Sequence, residues 1–383
     1  MKYRKLGKTG VEVSALGFGM MRLPTIQLEP GNPKGKTSID ESQAIEILRY
    51  AIDNGVNYVD TAYGYHDGKS EIVTGIALHD GYREKVNLAT KFPCWNCKKP
   101  EDFDRILNEQ LDKLQTDHID FYLLHSLSRN SWNNICLPNN IFEQLVAARE
   151  SGKVRHIGFS FHDDLRAFKE IVDYSSEWEF CQIQLNYLDT DYQAGVAGMK
   201  YAAERGLGVI VMEPLRGGAL ADVSPEVAEI FEPTGKTPVE WALDYIWNKP
   251  EVSFLLSGMG SMQMVRDNLL YAGRSSVGMI TQKDTEVIAK AQQAIQGQNM
   301  IPCTSCSYCM PCPHGVAIPY NFQTFNNLSK GKTEEECKAQ YQEWVTMFGK
   351  KASGCVSCGV CVPKCPQHIA IPDRLKEVAA KFE

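Results

Sequence analysis

Between Leu16 and about Leu256, short apolar runs alternate with segments in which apolar residues recur every three or four positions. The apolar runs are Leu16–Gly19, Val56–Asp60, Val86–Lys91, His118–His125, Val154–Ser160, Phe180–Asn186, Gly208–Met212 and Val252–Leu256. They are short enough for strands and uninterrupted enough to be buried on both faces. The intervening segments read as amphipathic helices, as in SQAIEILRYAIDNG, PEDFDRILNEQLDKLQ and NIFEQLVAARESGK. Gly55, Gly152 and Gly206 follow such segments as C-terminal stops. Eight strands alternating with helices predict an α/β fold, a closed (β/α)8 TIM barrel. An open doubly wound sheet is the runner-up. It would carry GxGxxG after the first strand, and GFGMMR there does not match.

Ahead of the first barrel strand, YRKLGKTGVEV predicts a hairpin at the barrel bottom. Met21–Asp40, rich in Pro and Gly and without period, is expected to be a loop. A helix is predicted around Gln282–Gly297, and one more in the tail over Thr333–Phe348. A chain of 383 residues exceeds the usual size of one domain. The expected division is a barrel over 1–298 and a small second domain over 299–383.

Forty basic and 47 acidic side chains leave a net charge of −7, which argues against a nucleic-acid partner. No run of 18 apolar residues offers a membrane span. The opening MKYRKLGKTG lacks the apolar core of a signal peptide, so a cytoplasmic location is expected. Composition changes the picture at one point. Of 13 cysteines, nine lie between Cys303 and Cys365. Disulfides are rare in a reducing compartment, so this cluster reads as metal ligation.

The nine contain an internal repeat. CTSCSYCMPCPHGVAIP and CVSCGVCVPKCPQHIAIP each run through four cysteines to Cys-Pro and then, three residues on, to Ala-Ile-Pro. Zinc needs four ligands, commonly as a pair of pairs, and these runs offer too many in series. The second copy has the C-x2-C-x2-C-x3-C-P spacing of bacterial ferredoxins, which the tail resembles, and the first is one residue shorter. In two-cluster ferredoxins the fourth cysteine of each run serves the other cluster. The resemblance therefore implies two [4Fe–4S] clusters. One would be held by Cys303, Cys306, Cys309 and Cys365, the other by Cys355, Cys358, Cys361 and Cys312. Cys337 falls mid-helix outside both repeats and reads as a small buried hydrophobe.

The barrel carries a separate chemistry. Asp60, Lys91 and His125 each end an apolar run, on three successive strands. Catalytic groups of such barrels sit at the C-terminal strand ends. Taken singly, each also reads as a capping Asp, a surface Lys or a buried His. Together with GKTGVEVSALGFG, DTAYGYHDGKSE, ATK, LDKLQTDHIDFYLLH, GKVRHIGFS and QIQLNY, they make residues 1–275 resemble the aldo/keto reductases. The family tetrad of Asp, Tyr, Lys and His falls on Asp60, Tyr65, Lys91 and His125. Tyr63 competes for the tyrosine; the family spacing from Asp60 to Gly68, Ser70 and Glu71 selects Tyr65. The residue types suit the reaction. A carbonyl that accepts hydride builds charge on oxygen and needs a proton donor. An unperturbed tyrosine, pKa about 10, becomes a better one beside a lysine ammonium. Asp60 would fix the ammonium, and His125 would orient the carbonyl oxygen.

The resemblance also implies NADP(H) or NAD(H). Ser160 and Gln182 would meet the nicotinamide carboxamide, Met212 stands where members often stack an aromatic ring, and Gly217 and Gly218 would admit the pyrophosphate. Ser257, Gly258, Gly260 and Ser261 follow the eighth strand, where barrels bind phosphate, and Asn268 matches a residue at the adenine end. Departures are Phe161 in place of a common Asn, and Met264 where many members place the arginine for a 2′-phosphate; Arg266 is out of register. The expected protein is an NAD(P)H-dependent oxidoreductase that interconverts a small-molecule carbonyl and alcohol. Its clusters would trade single electrons with a redox protein partner. FMN would bridge one- and two-electron steps, but no motif calls for it. The rival readings are a flavin-bridged relay and a silent regulatory barrel. Cys94 and Cys97 form a C-x-x-C after Lys91, read as pocket lining ahead of a redox dithiol.

Overall fold

The computed structural model describes residues 1–28, 37–298, 300–345 and 348–383. The chain divides into two compact units. Among the described residues, the first comprises residues 1–28, 37–214 and 243–280, the second those of 215–242 and 281–383.

In the first unit the hairpin pairs β1 (Tyr3–Lys5) with β2 (Glu12–Ser14) antiparallel, Tyr3 opposite Ser14. Eight parallel strands then close a barrel: β3 (Leu16–Gly19), β6 (Tyr58–Asp60), β7 (Asn87–Phe92), β8 (Ile119–Leu127), β9 (Val154–Phe161), β10 (Phe180–Gln184), β11 (Gly208–Met212) and β12 (Val252–Ser257). Neighbours in the chain are neighbours in the sheet, and β12 closes on β3 with Ser257 beside Phe18. Such crossovers need a helix between parallel strands. Those helices are Glu41–Asp53, Asp102–Leu114 and Ile141–Glu150 among others. Each turns a periodic apolar face inward, as Phe103, Ile106, Leu107, Leu111 and Leu114 do on the second.

The barrel bottom is filled where the strands begin. Leu6 and Val13 of the hairpin pack with Tyr58, Phe121, Phe180 and Phe254 in one buried cluster. Tyr58 and Phe254 meet at 4.5 Å between ring centroids. Truncating a buried ring such as Phe121 to alanine would cost about 3–5 kcal/mol. A bottom so packed leaves chemistry to the opposite rim.

The expected loop over Met21–Asp40 contains structure. Strand β4 (Thr25–Gln27) pairs antiparallel with β5 (Thr37–Ile39). These three-residue strands are largely exposed, so they carry no apolar alternation to read. Residues 29–36 of that segment lie outside the described ones.

In the second unit the predicted helix lies at Gln282–Gln296. The predicted tail helix is α-helical over Glu334–Gln340 and widens into a π turn at Tyr341–Val345. Two helices were not anticipated, Ile318–Asn326 and Ile371–Phe382. Each begins at the Ile-Pro that closes one cysteine repeat. Proline suits that first turn, where no N–H is needed. Their apolar faces, Phe322 and Phe325 on one and Leu375, Val378 and Phe382 on the other, share a core with Tyr341 and buried Cys337.

Candidate active site and cluster sites

At the C-terminal rim the strand order brings four side chains together. Asp60 is the last residue of β6, Lys91 the fifth of β7, and His125 lies near the end of β8. Lys91 is fully buried. Its ammonium donates to Asp60 Oδ1 at 2.5 Å, to the Thr61 carbonyl at 2.8 Å and to Tyr65 Oη at 3.4 Å. Tyr65 stands in a 3-10 turn after β6, in which His66 and Asp67 take positive φ values of 51° and 54°. This uncommon backbone returns the chain over the barrel end. The Tyr65 ring meets the His125 ring edge-on, with centroids 6.0 Å apart.

Burial sets the electrostatics. It pushes the Lys91 ammonium pKa down, and the Asp60 charge opposes that shift. It pushes the Asp60 carboxyl up against the pull of Lys91. His125 is held well below the ordinary histidine range by burial, then by Lys91 and His162. Its imidazole is therefore neutral at neutral pH.

Tyr63 is occupied elsewhere. Its hydroxyl donates to Glu109 at 3.1 Å, and its ring lies 4.1 Å beneath the Lys113 ammonium. Behind the four residues lies a buried polar network. Glu71 accepts from Thr90 at 2.6 Å and from Gln110 at 2.5 Å. Gln110 in turn donates to the Lys91 carbonyl and accepts from Tyr122. The Gly-x-Ser-Glu motif thus anchors the strand that carries Lys91. Ser70 does similar service, with its hydroxyl on Thr61 and on the Met20 carbonyl.

Ser160 accepts from the Ser126 N–H at 2.7 Å, and Gln182 stands beside it in register. Gln182 Nε2 donates to the Met212 sulfur at 3.5 Å. Its Oε1 is buried and meets no donor among the described residues. Phe161 packs on Phe168 and offers no amide. Asn268 is buried and donates to Ser257 at 3.0 Å, which fixes the strand end. Ser261 caps the 13-residue helix Met262–Arg274, a charge setting that suits phosphate. A Cβ at Gly258 would meet the Arg22 stem at 2.7 Å, so glycine permits that approach. A Cβ at Gly260 would lie 3.0 Å from the Arg22 carbonyl oxygen. Met264 is exposed, and Arg266 lies over the Tyr50 ring. Gly217 and Gly218 belong to the second unit, where Gly217, at φ 66°, lies against the Thr304 backbone.

Sequence reasoning missed two neighbours of the rim. Trp95 places its ring 5.0 Å from that of His125. Cys136, in the π turn Trp132–Cys136, is a buried free thiol like Cys94 and Cys97, and a hydrogen bond with the Cys94 side chain and burial push it up. The C-W-N-C run after Lys91 signalled the first; nothing local signalled the second.

In the second unit the eight repeat cysteines line two small separate recesses, four to each. Cys303, Cys306, Cys309 and Cys365 line one with Ile318, Phe322 and Ile369. Cys312, Cys355, Cys358 and Cys361 line the other with Val316 and Leu375. The Cys309 thiol is pushed up to about 12 by burial and by Cys303, Cys306 and Cys365. Among the described residues, no three His, Cys, Asp or Glu side chains converge to hold a single metal ion. The sulfurs surround a space, as a polynuclear cluster requires.

The comparisons agree with this architecture. The aldo/keto reductase family matches residues 15–284, and the chain belongs to that family. It is an oxidoreductase fused to a 4Fe-4S dicluster domain, which matches residues 302–371. An uncharacterized oxidoreductase, YrpG, of Bacillus subtilis is 31% identical over 241 residues, 57% of this chain and 68% of its own length. L-galactose dehydrogenase of Arabidopsis thaliana is 26% identical over 319 residues, 76% of this chain and 94% of its own. The holo form of an aldo-keto reductase from Bacillus halodurans superposes with a TM-score of 0.61 at 26% identity, covering 76% of this chain and 96% of that one. A Klebsiella pneumoniae aldo-keto reductase solved with NADPH shares the fold at 22% identity, with a TM-score of 0.61 over 76% of this chain and 95% of that one. No helix among the described residues is long and apolar enough to cross a membrane.

Proposed function

We propose that the barrel interconverts a small-molecule carbonyl and its alcohol with a nicotinamide dinucleotide, and that the tail holds two [4Fe–4S] clusters as an electron port. The observation that carries the first part is the buried Lys91 ammonium, held by Asp60 and in reach of Tyr65 Oη. When bound, the nicotinamide supplies a hydride. The chain's residues do the rest. Tyr65 donates the proton to the substrate oxygen. Lys91 stabilises the phenolate left behind, and Asp60 keeps Lys91 oriented and charged. His125, as a neutral imidazole, orients the carbonyl by hydrogen bonding, and Trp95 walls that side.

The residues fit the cofactor. The unpartnered Gln182 Oε1 and the adjacent Ser160 suit a carboxamide. The Gly258–Ser261 turn at a helix N-terminus suits phosphate. The exposed Met264 gives a 2′-phosphate no cation, so either NADP(H) or NAD(H) is compatible with that position. The eight thiols fit the clusters as two groups of four around separate spaces. A reducing cytoplasm is the compartment consistent with so many thiols.

Fluorescence titration tests the cofactor assignment. NADPH or NADH should quench tryptophan emission saturably, and Gln182→Leu should weaken binding by about tenfold, the scale of one lost hydrogen bond. Absence of saturable quenching by either dinucleotide, with no hydride transfer to a broad aldehyde panel, would remove the reading.

A further inference from the structure

We infer that the cluster recess lined by Cys312, Cys355, Cys358 and Cys361 is the entry point for electrons, and that its exposed rim docks an acidic one-electron carrier protein. The inference rests on the electron-port reading and names its surface and partner.

The two recesses differ in access. Cys303, Cys306, Cys309 and Cys365 are all partly buried, whereas Cys358 is exposed. The segment that carries Cys358 holds three unusually exposed aliphatic side chains, Val356 at 61%, Val360 at 45% and Val362 at 39%, and Val356 lines the same recess as Cys358. Electron transfer between proteins falls steeply with distance, so an exposed ligand sulfur marks the face a partner must approach. Apolar side chains around such a point exclude water when a partner covers them.

Charge selects the partner. The chain as a whole is acidic, at −7. From Phe348 to Glu383, however, six Lys and Arg face only three Asp and Glu. Each of those acids is engaged. Asp373 pairs with Lys376, Glu377 with Arg374, and Glu383 accepts from Tyr341 and Ser353. The rim Val356–Lys364 holds no carboxylate, and exposed Lys364 makes no ion pair with any described residue. An apolar patch with an unneutralised cation beside it suits a carrier whose docking face is acidic. The step balances as one electron: the carrier is oxidised by one, the cluster is reduced by one, and no proton or bond changes.

The test uses anaerobic full-length holoprotein and two electron donors in stopped flow: reduced methyl viologen, and a reduced acidic [2Fe–2S] ferredoxin as probe. Val356→Asp and Lys364→Glu are compared with wild type after iron and sulfide contents are shown to be equal. Calorimetric binding of the oxidised ferredoxin supplies a readout independent of turnover. Viologen rates should stay unchanged in both variants. Ferredoxin rates and affinity should fall about tenfold or more, and should weaken with salt in wild type. Unchanged ferredoxin rates and affinity in both variants would overturn the docking surface while leaving the port intact. Failure of viologen to reduce the wild type would overturn the port itself, and the docking inference with it.

Discussion

Two tyrosines two residues apart give the sharpest test of the rim. Tyr65→Phe removes one hydroxyl and keeps the ring against His125. In the structure that hydroxyl is the one within 3.4 Å of the Lys91 ammonium. Losing a positioned general acid lowers turnover by about 10²- to 10⁴-fold. That corresponds to roughly 2.7–5.5 kcal/mol of transition-state stabilisation. Cofactor affinity should hold within about twofold, because the proposed contacts lie on Ser160, Gln182 and the Gly258 turn. Tyr63→Phe removes a hydroxyl that donates to Glu109. It should cost about 1 kcal/mol of stability and leave kcat nearly unchanged. The assay is anaerobic NADPH oxidation with the best aldehyde from a panel, with dinucleotide affinity from fluorescence and stability from urea midpoints. If Tyr63→Phe abolishes turnover while Tyr65→Phe retains it, the assignment of the proton donor is wrong.

Asp60→Asn would leave the Lys91 ammonium buried without its counter-charge. It should destabilise the first unit by about 3 kcal/mol or more and lower turnover strongly; a midpoint shift worth under about 1 kcal/mol would contradict the buried pair. Anaerobically purified protein should contain about eight iron and eight sulfide per chain, and Cys358→Ser should reduce both; stoichiometric zinc without sulfide would contradict the cluster assignment. His125 titrates well below the unfolded value near 6.5. Below that pH the unfolded chain binds a proton that the folded chain refuses. Stability therefore falls as pH drops from about 6.5, by up to about 1.4 kcal/mol per pH unit from this group, and is flat for it above. His125→Asn should flatten the slope between about pH 6.5 and 5; an unchanged slope would mean that His125 is not buried neutral.

The barrel was legible because its strands are buried on both faces and so read as continuous apolar runs. Leu16–Gly19 and Gly208–Met212 run over the same residues in pattern and structure. Elements without that signature escaped. The β4–β5 pair is short and wet. The helix at Ile318 is only nine residues long, and the one at Ile371, although its buried Ile371, Leu375, Val378 and Phe382 keep helical spacing, opens on an Ile-Pro that reads first as the close of a cysteine run. At the rim, residue spacing suggested which tyrosine to choose, but side-chain direction cannot be read from spacing. Only the fold shows Tyr63 turned to Glu109 and Lys113. Long-range partners were equally hidden. Glu71 and Gln110 lie 39 residues apart, and no local pattern links Cys94 to Cys136.

The most direct measurement follows one hydrogen atom. NADPH labelled with deuterium at C4, in each of its two stereochemical forms, is supplied anaerobically with an aldehyde in ordinary water, and the alcohol is analysed by mass spectrometry. Direct hydride transfer at the rim predicts full deuterium at the carbinol carbon from one stereoisomer and none from the other. It also predicts that Cys306→Ser, if it stays folded, gives the same result. An alcohol carrying only solvent hydrogen from both stereoisomers would mean that electrons reach the substrate by another route, and would contradict the account.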